Sequence, residues 1–318
     1  MIKRSVFCSL VFSGVFLLVR IGGAPLCSAQ TLPIYTAGVM TKSYDERRAK
    51  ALEKFEEIIG KYIEDRAAVK IRLKSYTYPD LAKALEKGSI DFVWGYGLVV
   101  SMELSKRFSL VPVLAPALGE GKQSLFRRLA VTTKDLASGL SDFSVFKGKR
   151  LTYVGDEQWS FELLVFKVWA AERFGVKDVT QFLSLKGRDP DEGFFIPASK
   201  RGAIYSLFIK EADVAVVHEF EYLTQEKLTP SAIRDRAEVL PLLANPSTGF
   251  MEAPLFVRKG LAQRDSDPVT RVLIEMPNDP EGKQILLSSK ISGFVKVTDQ
   301  NYQPVRALMM KKESLGIK

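Results

Sequence analysis

Few residues in this chain are equipped for chemistry. There is one histidine, His218, which follows the apolar run 214–217 with Glu219 beside it and Glu221 close behind. A strand end of that kind delivers side chains to a cleft. Catalysis there would require a nucleophile within reach and an acid to orient the ring, and no motif assembles them. Asp156-Glu157 and the Glu219/Glu221 pair contain the two carboxylates of a glycosidase, but neighbouring acids on loops are ordinarily solvated. With one histidine and two cysteines, a three-histidine or Cys/His metal site is excluded by count, whereas a carboxylate-only site is not. The remaining candidates suit binding. Trp94 and Tyr96 end an apolar strand and either wall in a ligand or pack in the core, with Tyr96, between two glycines, better placed to reach outward. Lys200-Arg201 opens a helix and either closes on an anion or lies in solvent.

The elements that must position these residues are legible from hydrophobic period. An apolar strand runs through 32–40, and an amphipathic helix follows over 44–64 with Leu52, Phe55, Ile59 and Tyr62 at helical spacing. A second strand covers 69–73. Pro79 starts a short helix that Gly88 stops, and a third strand spans 90–94 before Gly95-Tyr96-Gly97. The pattern restarts at Phe146-Lys147-Gly148-Lys149-Arg150, which enters a strand at 151–154, a helix at 160–174 stopped by Gly175, a helix over 200–210 and a strand over 212–217. A strand through Leu255-Phe256-Val257 and a helix near 279–287 close the sequence. Repeated β-α-β order with short loops predicts mostly parallel sheets covered by helices. No low-complexity linker separates the two halves, so the chain is expected to cross between them on ordered strands near 125–132 and 249–257.

The first residues read as an export signal: Lys3 and Arg4, an apolar stretch over 6–19, then small residues ending Cys27-Ser28-Ala29. The apolar stretch falls short of the ~20 residues needed to span a bilayer. Leu26 before Cys27 is too large for a lipid-attachment site. Both cysteines lie in this segment, so a mature chain beginning at Gln30 has no disulfide and relies on core burial. The formal charge is +9, three of the basic residues leave with the signal, and the rest interleave with acids as in Asp45-Glu46-Arg47-Arg48. Nucleic-acid binding is therefore not expected, while a general pull on anionic ligands is.

Several segments together resemble a known family. They are Lys74-Ser75-Tyr76, the run Leu85-Glu86-Lys87-Gly88-Ser89-Ile90-Asp91-Phe92-Val93-Trp94, Phe146 to Arg150, Asp279-Pro280-Glu281-Gly282-Lys283, Ile291-Ser292-Gly293-Phe294 and Tyr302-Gln303-Pro304-Val305-Arg306. In order and spacing they are similar to the phosphate/phosphite/phosphonate-type substrate-binding proteins of ABC transporters, which are type II periplasmic binding proteins. The resemblance implies an α/β, two-lobed fold with the ligand cleft between lobes, lobe 1 comprising 30–125 and 250–318 and lobe 2 comprising 126–249 after a signal of 1–29. It implies a periplasmic monomer that performs no chemistry, needs no cofactor and meets the membrane only through an ABC permease. With Trp94, Tyr96 and His218 from the strand ends, the candidate ligand contacts become Tyr44, Trp94, Tyr96, Gln158, Trp159, Ser160, Ser199, Lys200, Arg201 and His218. Where the family has a Ser-Thr-Ser stretch this chain has Gln158-Trp159-Ser160, and where the family shows a histidine and an acid it has Ser199-Lys200-Arg201, which favours an anionic ligand over an amine. The other readings are a ligand-sensing input to an envelope kinase and an envelope enzyme.

Overall fold

In the computed structural model, the described residues are 32–40, 46–94, 97–119, 124–188, 203–228, 237–240, 242, 249–261, 263–288 and 291–318. Residues 1–29, Tyr44, Tyr96, Ser199, Lys200 and Arg201 lie outside them. The segment Pro33–Lys318 packs as one unit.

A six-stranded sheet is built first. β1 (Ile34–Met40), β2 (Lys70–Tyr76) and β3 (Phe92–Trp94) alternate with α1 (Glu46–Ala67), α2 (Tyr78–Glu86) and α3 (Leu98–Phe108), and β4 (Leu110–Leu118) follows. β12 (Leu255–Arg258) and β13 (Ile291–Lys296) complete it in the order β13-β4-β12-β3-β1-β2. Between these segments the chain makes a second, five-stranded sheet from β6 (Arg128–Thr133), β7 (Lys149–Val154), β8 (Leu183–Arg188), β9 (Val214–His218) and β10 (Ala237–Leu240), in the order β10-β6-β9-β7-β8. Its helices are α4 (Lys134–Ser138), α5 (Phe161–Phe174), α6 (Ala203–Phe208) and α7 (Glu219–Leu228). The result is a two-lobed α/β fold.

The sheets are mixed, which corrects the expectation of mostly parallel ones. β1 pairs in parallel with β2 and β3, and β7 with β8 and β9. β12 lies antiparallel to β3 and β4, β13 antiparallel to β4, and β6 antiparallel to β9 and β10. The cause is connectivity. A β-α-β crossover keeps strand direction, but a strand arriving from the other lobe enters from the opposite end and pairs antiparallel.

Burial follows the strand period of two. On β3, Phe92 and Trp94 face α1 and the helix Gln263–Glu275, while Val93 faces α2 and α3, and all three are buried. Such a strand, buried on both sides, reads as an unbroken apolar run. The core on the α2/α3 side of the first sheet continues without a break into the α5 side of the second, through Leu98, Met102, Phe161, Leu164 and Val168. The far side of the second sheet holds a separate core of Leu129, Val131, Ala215 and Val217 under α6.

The chain passes between sheets on two short strands, β5 (Leu125–Phe126) and β11 (Phe250–Met251), which pair antiparallel. Gly249 sits just before β11 with φ +67°, and a Cβ there would lie 2.7 Å from the backbone N and C of Phe126. Neither the left-handed conformation nor the close backbone approach admits a side chain. Gly249→Ala is expected to cost about 1–3 kcal/mol, measured as a lower urea midpoint with unchanged slope. A midpoint equal to that of the parent protein would mean the crossing strands give way freely.

Candidate functional site

Register puts the carboxyl ends of β1, β2 and β3 at one edge, with Met40 opposite Tyr76 and Val39 opposite Trp94. β7 and β8 likewise end together, Val154 opposite Arg188. The helices that follow begin at those edges. α2 is capped by Thr77, whose hydroxyl accepts from the Asp80 N–H at 3.4 Å, with Pro79 in its first turn. α5 is capped by Ser160, which accepts from the Leu163 N–H at 3.2 Å. α3 starts after Gly97 with neither a capping side chain nor an acid in its first turn. A helix start of that kind leaves N–H groups and the positive end of the dipole uncompensated.

These starts meet across the lobes. The Tyr78 ring, at the beginning of α2, lies 4.9 Å from the Trp159 ring just ahead of α5, tilted by 35°. A Cβ on Gly97 would come within 4.0 Å of the Trp159 carbonyl oxygen. The Trp159 turn of the second lobe therefore abuts the starts of α2 and α3 in the first.

Of the residues singled out from sequence, Trp159 and Ser160 lie in this meeting place. Gln158 is exposed on the same turn, Trp159 is half-buried and Ser160 is buried. The Ser160 oxygen is engaged in capping α5, with Glu162 Oε2 at 3.5 Å. Trp94 turns inward, packing edge-on against Phe294 with ring centroids 6.0 Å apart. His218 is buried, and both its ring nitrogens are occupied: Nδ1 accepts from the Phe220 N–H at 3.0 Å, and Nε2 lies 2.6 Å from Glu252 Oε1. With Nδ1 accepting from Phe220, it is Nε2 that carries a proton and donates to Glu252.

That contact opens onto a buried charge network. Arg128 begins β6 directly opposite His218, the last residue of β9. Its guanidinium reaches Glu252 Oε1 at 3.3 Å and donates to the Phe126 carbonyl at 3.2 Å. Its Nε is 2.9 Å from Glu162 Oε1, an ion contact and not a directed hydrogen bond. The same guanidinium lies 5.2 Å over the Phe161 ring. Burial pushes the Glu252 carboxyl up, but His218 and Arg128 outweigh it and bring it from 4.5 to about 2. The Tyr302 hydroxyl donates to the Glu252 carbonyl at 2.9 Å, and burial, with the Glu252 charge, pushes that phenol well above its usual range. Glu219 is also held low: burial opposes ionisation, but Arg127 overcomes it by donating its backbone N–H at 2.9 Å and its Nε at 2.7 Å. The one signal of this network in the sequence was a pair of charges in apolar company, Arg128 in Leu125-Phe126-Arg127-Arg128-Leu129 and Glu252 in Phe250-Met251-Glu252-Ala253.

Among the described residues no group of acids, histidines or cysteines is arranged to hold a metal ion, and no helix is long and apolar enough to cross a membrane. The arrangement offers a helix start suited to an anion, an aromatic pair bridging the lobes, and a buried ionic cluster at the crossing strands.

A family model described as the phosphonate periplasmic substrate-binding protein of ABC transporters matches residues 44–302. Comparison with curated protein sequences finds no match. Solved structures share the fold at low identity. A binding protein component of an ABC phosphonate transporter from Pseudomonas aeruginosa is 15% identical, with TM-score 0.60, over 90% of this chain and 88% of that one. A Xanthomonas citri protein bound to chloride is 15% identical, with TM-score 0.62, over 89% and 98%. A Prochlorococcus marinus protein in complex with methylphosphonate is 13% identical, with TM-score 0.59, over 88% and 98%.

Proposed function

The chain belongs to the periplasmic substrate-binding protein family of phosphonate ABC transporters, and on that premise we propose that it closes two lobes on a small oxyanion of the phosphonate, phosphite or phosphate kind. The family serves transport and not catalysis. In this reading the lobes are 30–125 with 250–318 and 126–249, hinged at β5 and β11. The protein works as a periplasmic monomer once its signal is removed after Ala29, and it delivers the ligand to an ABC permease. The observation that carries the proposal is the uncapped, acid-free start of α3 lying against the Trp159 turn of the opposite lobe. Such a helix start binds anions through backbone N–H groups and dipole together.

Calorimetric titration with methylphosphonate, phosphite and phosphate tests the reading. One of them is expected to bind at one site per chain, and at a hundred times its dissociation constant to add ~2.7 kcal/mol of stability. Absence of heat and of a melting shift with all three would sink it. Lys200 and Arg201 are proposed to lend the anion its countercharge. The double change Lys200→Ala, Arg201→Ala is expected to weaken binding about tenfold or more while leaving the melting temperature of the free protein in place. Equal affinity in the double variant would remove both residues from the site.

A further inference from the structure

The helix Gln303–Ser314, placed in the first lobe by chain order, also touches the second. It packs on α3, which lies on β4 of the first sheet, and on α5, which lies on β6, β7 and β9 of the second. Its start is tied to the crossing strands by the Tyr302 hydroxyl on the Glu252 carbonyl. Arg306 grips both Asp299 oxygens, at 2.7 and 2.6 Å, and reaches Ser105 of α3 at 3.4 Å. Val305 and Leu308 are buried in the core shared by α3 and α5. At the other end every tie is to the second lobe. Lys311 pairs with Glu172 of α5, the Lys318 N–H donates to the Lys177 carbonyl at 3.1 Å, and the Lys318 ammonium lies 3.7 Å from Asp178.

Local sequence explains how the far end is anchored. Gly316, at φ +64°, follows the helix C-cap Leu315. The Ile317 N–H bonds back to the Lys312 carbonyl at 3.1 Å and the Gly316 N–H to the Glu313 carbonyl at 3.1 Å. This left-handed stop turns the chain so that the residue after the glycine meets the core. Ile317 is accordingly buried, and Lys318 is carried to Lys177.

We propose that the segment Gln303–Lys318 is a strap that holds the second lobe at the angle where Trp159 meets Tyr78, so that loosening its ties to α5 and Lys177 opens the cleft. The strap contacts α3 at Ser105 and the second lobe at Glu172, Lys177 and Asp178, toward or beyond the opposite ends of α3 and α5 from the starts that form the cleft. It acts on the lobe angle without touching a ligand, and the inference does not depend on which solute the cleft takes.

The test uses the ligand-free protein. Of its three tryptophans, Trp94 and Trp169 are each 3% exposed, so acrylamide quenching reports Trp159. Tyr78→Ala supplies the reference for an uncovered Trp159. Lys311→Glu, which sets two acids against each other, and Ile317→Ala are each expected to raise the quenching constant roughly twofold or more by shifting the lobes toward the open population. Thermal unfolding should stay cooperative. The charge swap Lys311→Glu, Glu172→Lys is expected to return quenching to its starting value. Quenching unchanged in both folded variants overturns the strap, as does a swap that fails to restore it. Should Ile317→Ala unfold, the Lys311→Glu result decides alone.

Discussion

Replacing Arg128 with leucine is expected to destabilise the protein by about 3–5 kcal/mol, the cost of removing one partner from a buried ionic cluster. Arg128 is 6% exposed and stands between two carboxylates, Glu252 and Glu162, that are themselves buried. Without the guanidinium the two acids keep their desolvation cost and lose the cation they share, while the Phe126 carbonyl loses its donor. Leucine returns apolar contact with Phe161 but no charge. Urea unfolding of the variant at neutral pH measures the effect. Adding Glu252→Gln to the leucine variant is expected to recover part of the loss, because residues in one network are coupled and their effects do not add. A loss below about 1 kcal/mol, the range of solvated ion pairs, would show that water reaches the cluster.

The second large effect is acid sensitivity. Glu252 has its carboxyl held near 2 in the folded protein, against 4.5 when free of the fold. Between those values the unfolded chain binds a proton that the folded chain does not. The stabilisation is therefore fully present above about pH 4.5 and is lost as pH falls toward 2, amounting to roughly 3–4 kcal/mol at ~1.4 kcal/mol per unit. Glu219 is lowered for a similar reason and acts in the same direction, with a contribution reduced because Arg127 is half exposed. Denaturant midpoints from pH 7 to pH 2.5 check the sign. Glu252→Gln, which cannot ionise, is expected to start less stable at pH 7 and to show a flatter slope. If parent and variant lose stability in parallel on acidification, the loss arises at other carboxylates.

Both effects arise where the chain crosses between the two sheets. Glu252 follows β11, Arg128 begins β6, and Glu162 lies in the first turn of α5 beside the Trp159 turn. Any change of lobe angle must keep this cluster satisfied, since an unpaired charge at that depth costs several kcal/mol. In the proposed closure, rotation falls on the β5–β11 pair, which lies beside this cluster.

Much of the fold was legible in the residue order. The strand-helix-strand repeats were visible because their apolar residues recur at two or at three to four positions, and a single element must present one face or both to a core. Thus 90–94 read as a strand and is one from Phe92 to Trp94, and the helix that Gly175 was expected to stop ends at Phe174. Boundaries slipped by a few residues, because caps such as Thr77 and Ser160 act through local hydrogen bonds that do not alter the hydrophobic period. Family membership was legible by a different route, as a resemblance carried by short segments such as Leu85 to Trp94, Phe146 to Arg150 and Asp279 to Lys283. Periodicity states which face of an element is buried, but not what it is buried against. Tertiary structure alone turned β6 and β12 against the strands they join, since each arrives from the other sheet, and β13 keeps the direction of β12. It alone sent Trp94 inward onto Phe294 and laid Trp159 against Tyr78, 81 positions earlier by sequence number. It joined Arg128 to Glu252 across 124 residues, a pairing no local pattern records because a buried charge finds its partner through the fold and not along the chain.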